Sequence, residues 1–120
     1  MTREKEPFSD SVLFIGSEVM GRGENHELGS LLMLRFLHEL GGRRVKPRTV
    51  IFMNSGVKLV TEGSLSLEEI KQLENQGVTI LACGTCLSHL QLTDKIAVGQ
   101  VSNMSDITDI LLKAEKVIST

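Results

Sequence analysis

Short apolar segments alternate with helix-like segments along almost the whole chain, and this alternation restricts the fold more than any other feature of the sequence. The apolar segments are typical of buried strands: 12–15, 49–53, 78–82, 96–98 and 116–118. Strands that are separated by helices pair in parallel through right-handed crossovers. The sequence therefore predicts a three-layer α/β/α domain with a mainly parallel sheet of about five strands.

The segments between the strands have the apolar spacing and the boundary residues of amphipathic helices. Asn25 is a typical N-cap for the first of them. Ser66 and Glu69 have the spacing of a capping box at the start of another helix. The last helix is predicted to begin after Ser102 or Asn103.

The length and the charge balance limit the number of domains and the classes of partner. The 120 residues fit one domain, which we place at 11–120, and the polar segment 1–10 with Pro7 is predicted to be a flexible N-terminal tail or linker. Lys and Arg number 13 and Asp and Glu number 15, so charge gives no reason to expect a nucleic acid. No apolar run is long enough to cross a membrane, and no signal peptide precedes the domain, so we expect a cytoplasmic protein.

Ligands of open parallel sheets bind beyond the carboxyl ends of the strands, and four loops of this chain are predicted there. They cover 17–24, 54–56, 83–86 and 99–103. Several of their residues are small or polar and are therefore candidates for a supporting site loop: Asn54, Ser55, Gly56, Gly84, Thr85, Ser102 and Asn103.

The strongest chemical signal is a pair of cysteines, Cys83 and Cys86, at a predicted strand-to-helix junction. The first N–H groups of a helix favour a negative charge, so a thiolate pKa below about 8.5 is predicted here. Gly84 permits a sharp turn, and the Thr85 hydroxyl can add a hydrogen bond. A thiolate is the species that attacks another sulfur atom. The competing interpretation is that both cysteines are buried and act as small apolar side chains.

A metal site is poorly supported by the sequence. A structural zinc ion needs four ligands, usually as two pairs, whereas the chain offers one cysteine pair and three histidines: His26, His38 and His89. His89 lies three residues beyond Cys86 and would either support a thiolate or be solvated. We therefore expect neither a metal nor a cofactor.

Four stretches in order make the chain resemble the DsrE/DsrF-like family of small sulfur-relay proteins. The resemblance is closest to the C-terminal domain of YedF-type proteins, which are sulfurtransferase-like and linked to selenium metabolism. The stretches that carry the resemblance are 22–29, 51–59, 83–87 and 98–104.

The resemblance implies a DsrE-like fold and a cysteine that carries sulfane sulfur, or selenium, as a persulfide. Its sulfur-bearing cysteine follows a central strand, which matches Cys83, while Cys86 matches the second cysteine of the YedF-type pattern. It also implies protein donors and acceptors of sulfur, among them a TusA-like domain or protein, and a homo-oligomer, either a trimer or a hexamer.

Three functions remain open at this point. The first is a sulfur-relay protein or sulfurtransferase in which Cys83 accepts sulfur and passes it to a partner thiol. The second is a dithiol–disulfide oxidoreductase that uses the CxxC pair. Thioredoxins, however, have an early motif and a later cis-proline, whereas Pro7 and Pro47 both precede this motif. The third is a non-catalytic subunit that only binds partners.

The helix predicted over 26–40 carries apolar residues on its polar side. Leu31 and Leu34 project among charged residues when the sequence is placed on a helix of about 100° per residue. A contiguous exposed apolar patch favours an interface, so we predict a homo-oligomer contact there. The alternative is that the loop 17–24 folds over these two leucines.

Overall fold

The structure is a computed structural model, and it describes residues 8–120. The strands are Phe8–Ile15 (β1), Lys46–Phe52 (β2), Thr79–Cys83 (β3), Gln100–Ser102 (β4) and Lys116–Ser119 (β5). The α-helices are His26–Gly41 (α1), Leu67–Asn75 (α2), Gly84–His89 (α3) and Met104–Lys113 (α4). Two 3-10 helices cover Asn54–Val60 and Thr93–Lys95.

The five strands form one parallel sheet in the order β4-β3-β2-β1-β5, with helices on both sides. From β1 to β4, each strand adds to the same side of the preceding strand. The α4 crossover then leads to the opposite edge of the sheet, where β5 pairs with β1. Because such crossovers are right-handed, this reversal places α1 and α2 on one face and α4 on the other. The predicted three-layer architecture is confirmed.

The core consists of the central strands and one apolar stripe from each long helix. The strand residues Leu13, Ile51 and Phe52 are at most 1% exposed, and Met33 and Leu37 of α1 are fully buried. Each such side chain contributes roughly 1.5–3 kcal/mol relative to an exposed position. The carboxyl ends of β1, β2 and β3 are thereby held side by side.

The strand predicted at 96–98 is wrong. Ile96 forms only an isolated antiparallel bridge with Thr61, and the fourth strand lies at 100–102. Ile96 and Val98 are apolar because they pack against the core, where Val98 is 5% exposed, whereas Ala97 is exposed. The turn that follows needs Gly99, whose φ is +86° and whose Cβ would lie 2.7 Å from a methyl of Ile80. The loop predicted at 99–103 is therefore mostly strand.

One strand boundary and one helix cap differ from the prediction. β1 begins at Phe8, so residues 8–10 of the predicted tail belong to the strand, and residues 1–7 lie outside the described residues. The Ser66 side chain makes no capping hydrogen bond, so the predicted capping box is wrong. The asparagine caps are confirmed: Asn25 Oδ1 accepts the N–H of Leu28 at 2.9 Å, and Asn103 Oδ1 accepts that of Asp106 at 2.8 Å.

Candidate functional site

A cavity of about 500 Å³ opens at the carboxyl ends of the central strands, where ligands of parallel sheets bind. It is lined by the ends of β1 and β2 and by α3, through Phe14, Gly16, Met53, Asn54, Thr85, Cys86, His89 and Leu90. No Asp, Glu, Lys or Arg is among these lining residues. The cavity is therefore largely apolar, with one thiol and one imidazole as its reactive groups.

Cys86 is the cysteine that faces this cavity. It lies in the first turn of α3 and is partly buried. The backbone N–H of Asn54 donates a hydrogen bond to Cys86 Sγ, with an N-to-S distance of 3.1 Å. Asn54 has φ +53°, a left-handed conformation that asparagine tolerates better than most residues. The conformation of Asn54 thus aims a backbone donor at the thiol.

Cys83 lies behind Cys86 in the core. It is the last residue of β3, is 1% exposed and does not line the cavity. Both cysteines are free, and Cys83 is the N-cap residue of the helix whose first turn holds Cys86. The assignment of Cys83 as the sulfur acceptor stays a prediction, and the structure places that thiol in the core while Cys86 lines the cavity.

The electrostatics of Cys86 differ from the prediction. Burial raises the pKa of the Cys86 thiol, and the hydrogen bond with Cys83 raises it further, while the N–H of Asn54 lowers it. The net pKa lies above the ordinary value, so the predicted lowering is wrong for Cys86. The reason is that α3 has only six residues and the cavity walls are apolar, so desolvation of the thiolate outweighs the backbone donors.

The 3-10 helix Asn54–Val60 is fixed against β1 by a close backbone contact. A Cβ on Gly56 would lie 2.5 Å from the carbonyl oxygen of Ile15, so only glycine fits there. The N–H of Met53 donates to that same oxygen at 2.9 Å. These contacts position Asn54 and hence its hydrogen bond to Cys86. Gly56 acts in the site through packing rather than through contact with a ligand.

The remaining predicted residues divide between the cavity and the scaffold. Thr85 lines the cavity, whereas a Cβ on Gly84 would lie 3.2 Å from the carbonyl oxygen of Ser102, so Gly84 lets α3 approach β4. Ser102 pairs with Cys83 in the sheet, while Asn103 caps α4. Ser55 Oγ accepts the N–H of Glu18 at 3.3 Å and anchors the loop 17–24. These three polar residues support the site without lining it.

Sequence reasoning missed the apolar walls of the cavity. One wall residue lies near the end of β1, namely Phe14. Three others directly follow an element: Gly16 follows β1, Met53 follows β2 and Leu90 follows α3. A signal for them existed, because the carboxyl ends of neighbouring parallel strands share one edge of the sheet. The residues predicted there are small or polar, whereas the walls of this cavity are mostly apolar.

A second cavity of about 480 Å³ has charged and hydroxyl side chains among its lining residues and contains neither cysteine. Lys58 and Glu18 line it, with 3.8 Å between Lys58 Nζ and a Glu18 carboxylate oxygen. His26 Nε2 lies 3.0 Å from the other oxygen of that carboxylate. Glu62 lines this cavity as well, and because neither thiol does, we place the chemistry at the cysteine cavity.

Within residues 8–120, no group of three or more His, Cys, Asp or Glu side chains could hold a metal ion. No helix in that range is long and apolar enough to span a membrane.

Comparison with known families places the chain. Residues 11–120 match the DsrE/DsrF-like family, so the chain belongs to that family, which is associated with sulfur relay. A search among curated proteins found no significant match.

Solved structures share this fold at low sequence identity. The YchN protein from E. coli has a TM-score of 0.63 and 15% identity, covering 92% of this chain and 98% of its own. MTH1491 from Methanobacterium thermoautotrophicum, a protein of unknown function, has a TM-score of 0.65 and 20% identity, and the match covers 92% of this chain and 97% of MTH1491. BT1422 from Bacteroides thetaiotaomicron, also of unknown function, has a TM-score of 0.61 and 20% identity, and the match covers 92% of this chain and 95% of BT1422. At such identities these likenesses establish the fold alone.

Proposed function

We propose that the protein is a cytoplasmic sulfur carrier, in which Cys86 accepts sulfane sulfur as a persulfide and passes it to a thiol of a partner. The observation that carries this proposal is the position of Cys86, which lines an open apolar cavity and accepts a hydrogen bond from the Asn54 N–H. Membership of a family associated with sulfur relay supports the same chemistry. Reducing conditions in the cytoplasm would keep both thiols free between cycles.

The transfer needs only the cysteine itself. The Cys86 thiolate attacks the outer sulfur of a donor, the donor's leaving group departs, and a Cys86 persulfide results. A thiolate of the acceptor then attacks the outer sulfur of that persulfide, and Cys86 leaves as a thiolate. The Asn54 N–H stabilises the negative charge on Cys86 Sγ in both steps.

The accessibility of the two thiols supports Cys86 rather than Cys83 as the carrier. A sulfur donor needs an open path to the attacking thiolate, and Cys83 is 1% exposed. A persulfide also adds an atom the size of sulfur, which the cavity accommodates and the close-packed core does not. Cys83 then serves beside the carrier rather than as the carrier.

The resemblance to YedF-type C-terminal domains extends the proposal to partners and cargo. A TusA-like domain or protein is the proposed sulfur donor or acceptor, and selenium is an alternative cargo to sulfur. The cavity is wide open and uncharged, so it suits a cysteine that another protein presents.

The experiment uses Cys83→Ala, which leaves Cys86 as the only thiol. The variant is incubated with benzenethiosulfonate, whose sulfane sulfur is transferred with benzenesulfinate as the leaving group, and its mass is then measured. The proposal predicts one added sulfur atom, which is lost when a thiol acceptor is supplied. Cys86→Ala is the matched control and should take up no sulfur. An unmodified Cys83→Ala protein would refute the carrier function.

A dithiol–disulfide oxidoreductase is the second candidate, because two free cysteines stand three residues apart at the start of α3. This function predicts that the wild-type protein forms an internal disulfide with a disulfide oxidant and that Cys83→Ala takes up no sulfur. A non-catalytic binding subunit would show neither reaction.

We also propose a homo-oligomer, a trimer or hexamer, that uses the outer side of α1. Leu31 is 46% exposed, and with Leu28, Leu34 and Leu65 it lines an apolar groove of about 470 Å³. The loop 17–24 does not cover this groove, because it packs beside Gly29, whose carbonyl oxygen accepts the N–H of Met20 at 3.0 Å. A contiguous apolar patch of this kind favours an interface.

A further inference from the structure

We propose that Cys83 is a resolving thiol that reduces the Cys86 persulfide and releases hydrogen sulfide, so that the protein is also a sulfane-sulfur reductase. This inference rests on the proposed function, because it needs a persulfide on Cys86. It assigns a chemical role to a cysteine whose burial prevents it from meeting a donor itself.

The inference begins with the unequal positions of the two thiols. Cys86 lines the cavity, whereas Cys83 is 1% exposed and lies on the core side of Cys86. Cys83 is the N-cap residue of α3 and Cys86 lies three residues on, in the first turn, so the two thiols stand at the same helix start; the Cys83 thiol also acts on the pKa of Cys86. Residues three apart at a helix start have Cβ atoms about 5–6 Å apart, a separation that small rotations reduce to disulfide distance.

The direction of approach determines which sulfur atom Cys83 attacks. The outer sulfur of a Cys86 persulfide occupies the cavity, which Cys83 does not line. Cys83 therefore meets the inner sulfur, Cys86 Sγ, from the core side, with the outer sulfur on the opposite side. This arrangement suits displacement of the outer sulfur, because thiol–disulfide exchange proceeds with the attacking and leaving sulfurs on opposite sides of the sulfur under attack.

The reaction balances without any further reactant. Cys83–SH and Cys86–S–SH give a Cys83–S–S–Cys86 disulfide and H₂S. The bond between Cys83 Sγ and Cys86 Sγ forms, and the bond from Cys86 Sγ to the outer sulfur breaks. The outer sulfur leaves with the bonding electron pair and the Cys83 proton, so it is reduced. Cys83 Sγ is oxidised from a thiol to a disulfide sulfur, while Cys86 Sγ exchanges one S–S bond for another and keeps its oxidation state. A thiol reductant must then reopen the disulfide before the next turnover.

Burial of Cys83 makes this step selective. A buried thiol cannot be loaded directly, and it cannot reduce disulfides of other proteins, but it can attack an atom that is already beside it. The carrier therefore has two outcomes for its sulfur: transfer to a partner thiol when one occupies the cavity, or release as sulfide when none does.

The test is a single turnover of the wild-type protein without oxygen. Reduced protein is mixed with benzenethiosulfonate, and sulfide is measured together with the intact mass and the disulfide-linked peptide. Loading by this donor releases benzenesulfinate and no sulfide, so every sulfide detected comes from the protein. We expect one sulfide and one Cys83–Cys86 disulfide per chain, whereas Cys83→Ala should keep its persulfide and release none above the donor-free background.

The outcomes separate this inference from the proposed function. A wild-type protein that keeps its persulfide as long as Cys83→Ala does overturns the resolving role and leaves the carrier function intact. Failure of both proteins to take up sulfur overturns the carrier function and the inference with it. Circular dichroism establishes that Cys83→Ala is folded, and Cys83→Ser provides a second variant. The amounts of sulfide and of Cys83–Cys86 disulfide per wild-type chain test the inference even if neither variant folds.

Discussion

Replacing Gly56 with alanine should destabilise the protein and displace the backbone donor of the site. The new Cβ would lie 2.5 Å from the Ile15 carbonyl oxygen, which is 0.5 Å closer than the 3.0 Å below which Cβ contacts essentially never occur. That oxygen is part of the backbone at the end of β1 and already accepts the N–H of Met53, so it cannot rotate away. The 3-10 helix Asn54–Val60 must move instead.

The expected cost follows from overpacking of a well-packed core, which is about 1–3 kcal/mol. For a domain of this size, 1 kcal/mol corresponds to roughly 4 °C in melting temperature, so Gly56→Ala should melt about 4–12 °C below the wild type. Urea unfolding measures the free energy directly. Because Asn54 moves with the helix, Cys86 should also lose its 3.1 Å hydrogen bond and alkylate at a changed rate.

Gly41→Ala is the matched control. A Cβ at Gly41 has nothing within 4 Å, and alanine favours the helix that Gly41 ends. It should leave the stability unchanged or slightly raised, and it should not affect Cys86. If Gly56→Ala unfolds at the same denaturant concentration as Gly41→Ala, the close contact at Ile15 does not constrain the fold as argued.

Three further predictions follow from other parts of the structure. Besides burial, the interaction with the Cys83 thiol raises the pKa of Cys86, so Cys83→Ala should lower that pKa. In a pH titration of the iodoacetamide reaction, the inflection should move to lower pH. An unchanged or higher inflection would contradict this cause. Asn103→Ala removes the cap of α4 and should cost about 1 kcal/mol in urea unfolding, whereas Asn103→Ser should keep most of the stability, because its hydroxyl also accepts the N–H of Asp106; equal losses would contradict the capping role. The double substitution Leu31→Glu, Leu34→Glu should dissociate the proposed oligomer in light scattering, and an oligomer of unchanged mass would show that the interface lies elsewhere.

The raised pKa of Cys86 also fixes a direction for stability. Because the pKa of Cys86 is higher in the folded state than in the unfolded state, the folded protein holds the Cys86 proton more tightly. The stability that this proton contributes is fully present below the unfolded pKa. It is lost as the pH rises through the folded pKa. Stability should therefore fall in alkaline solution, and less so in Cys86→Ala.

The sequence predicted the architecture because its information was local. Continuous apolar segments such as 49–53 are typical of strands buried on both faces, and the caps Asn25 and Asn103 depend only on their own helices. Segment 96–98 was misassigned because burial of Val98 arises from packing over the sheet rather than from pairing within it. An apolar run alone does not distinguish these two causes of burial.

The candidate site was predicted in part. The carboxyl-end rule selected Cys86, Thr85 and Asn54, and these three residues line one cavity in the structure. The sequence could not establish which cysteine is exposed, because that depends on how the strand-to-helix junction is rotated against the neighbouring strands. It also could not predict the sign of the Cys86 pKa shift, which depends on apolar walls contributed by distant residues.

The most direct test of the central claim is to locate the persulfide by mass spectrometry in the two single-cysteine variants. Cys83→Ala and Cys86→Ala are loaded with benzenethiosulfonate, alkylated and digested, and the peptide that holds the remaining cysteine is analysed for an added sulfur atom. We predict a persulfide on Cys86 in the first variant and an unmodified Cys83 in the second. A persulfide on Cys83 in the second variant, with Cys86 unmodified in the first, would contradict the account.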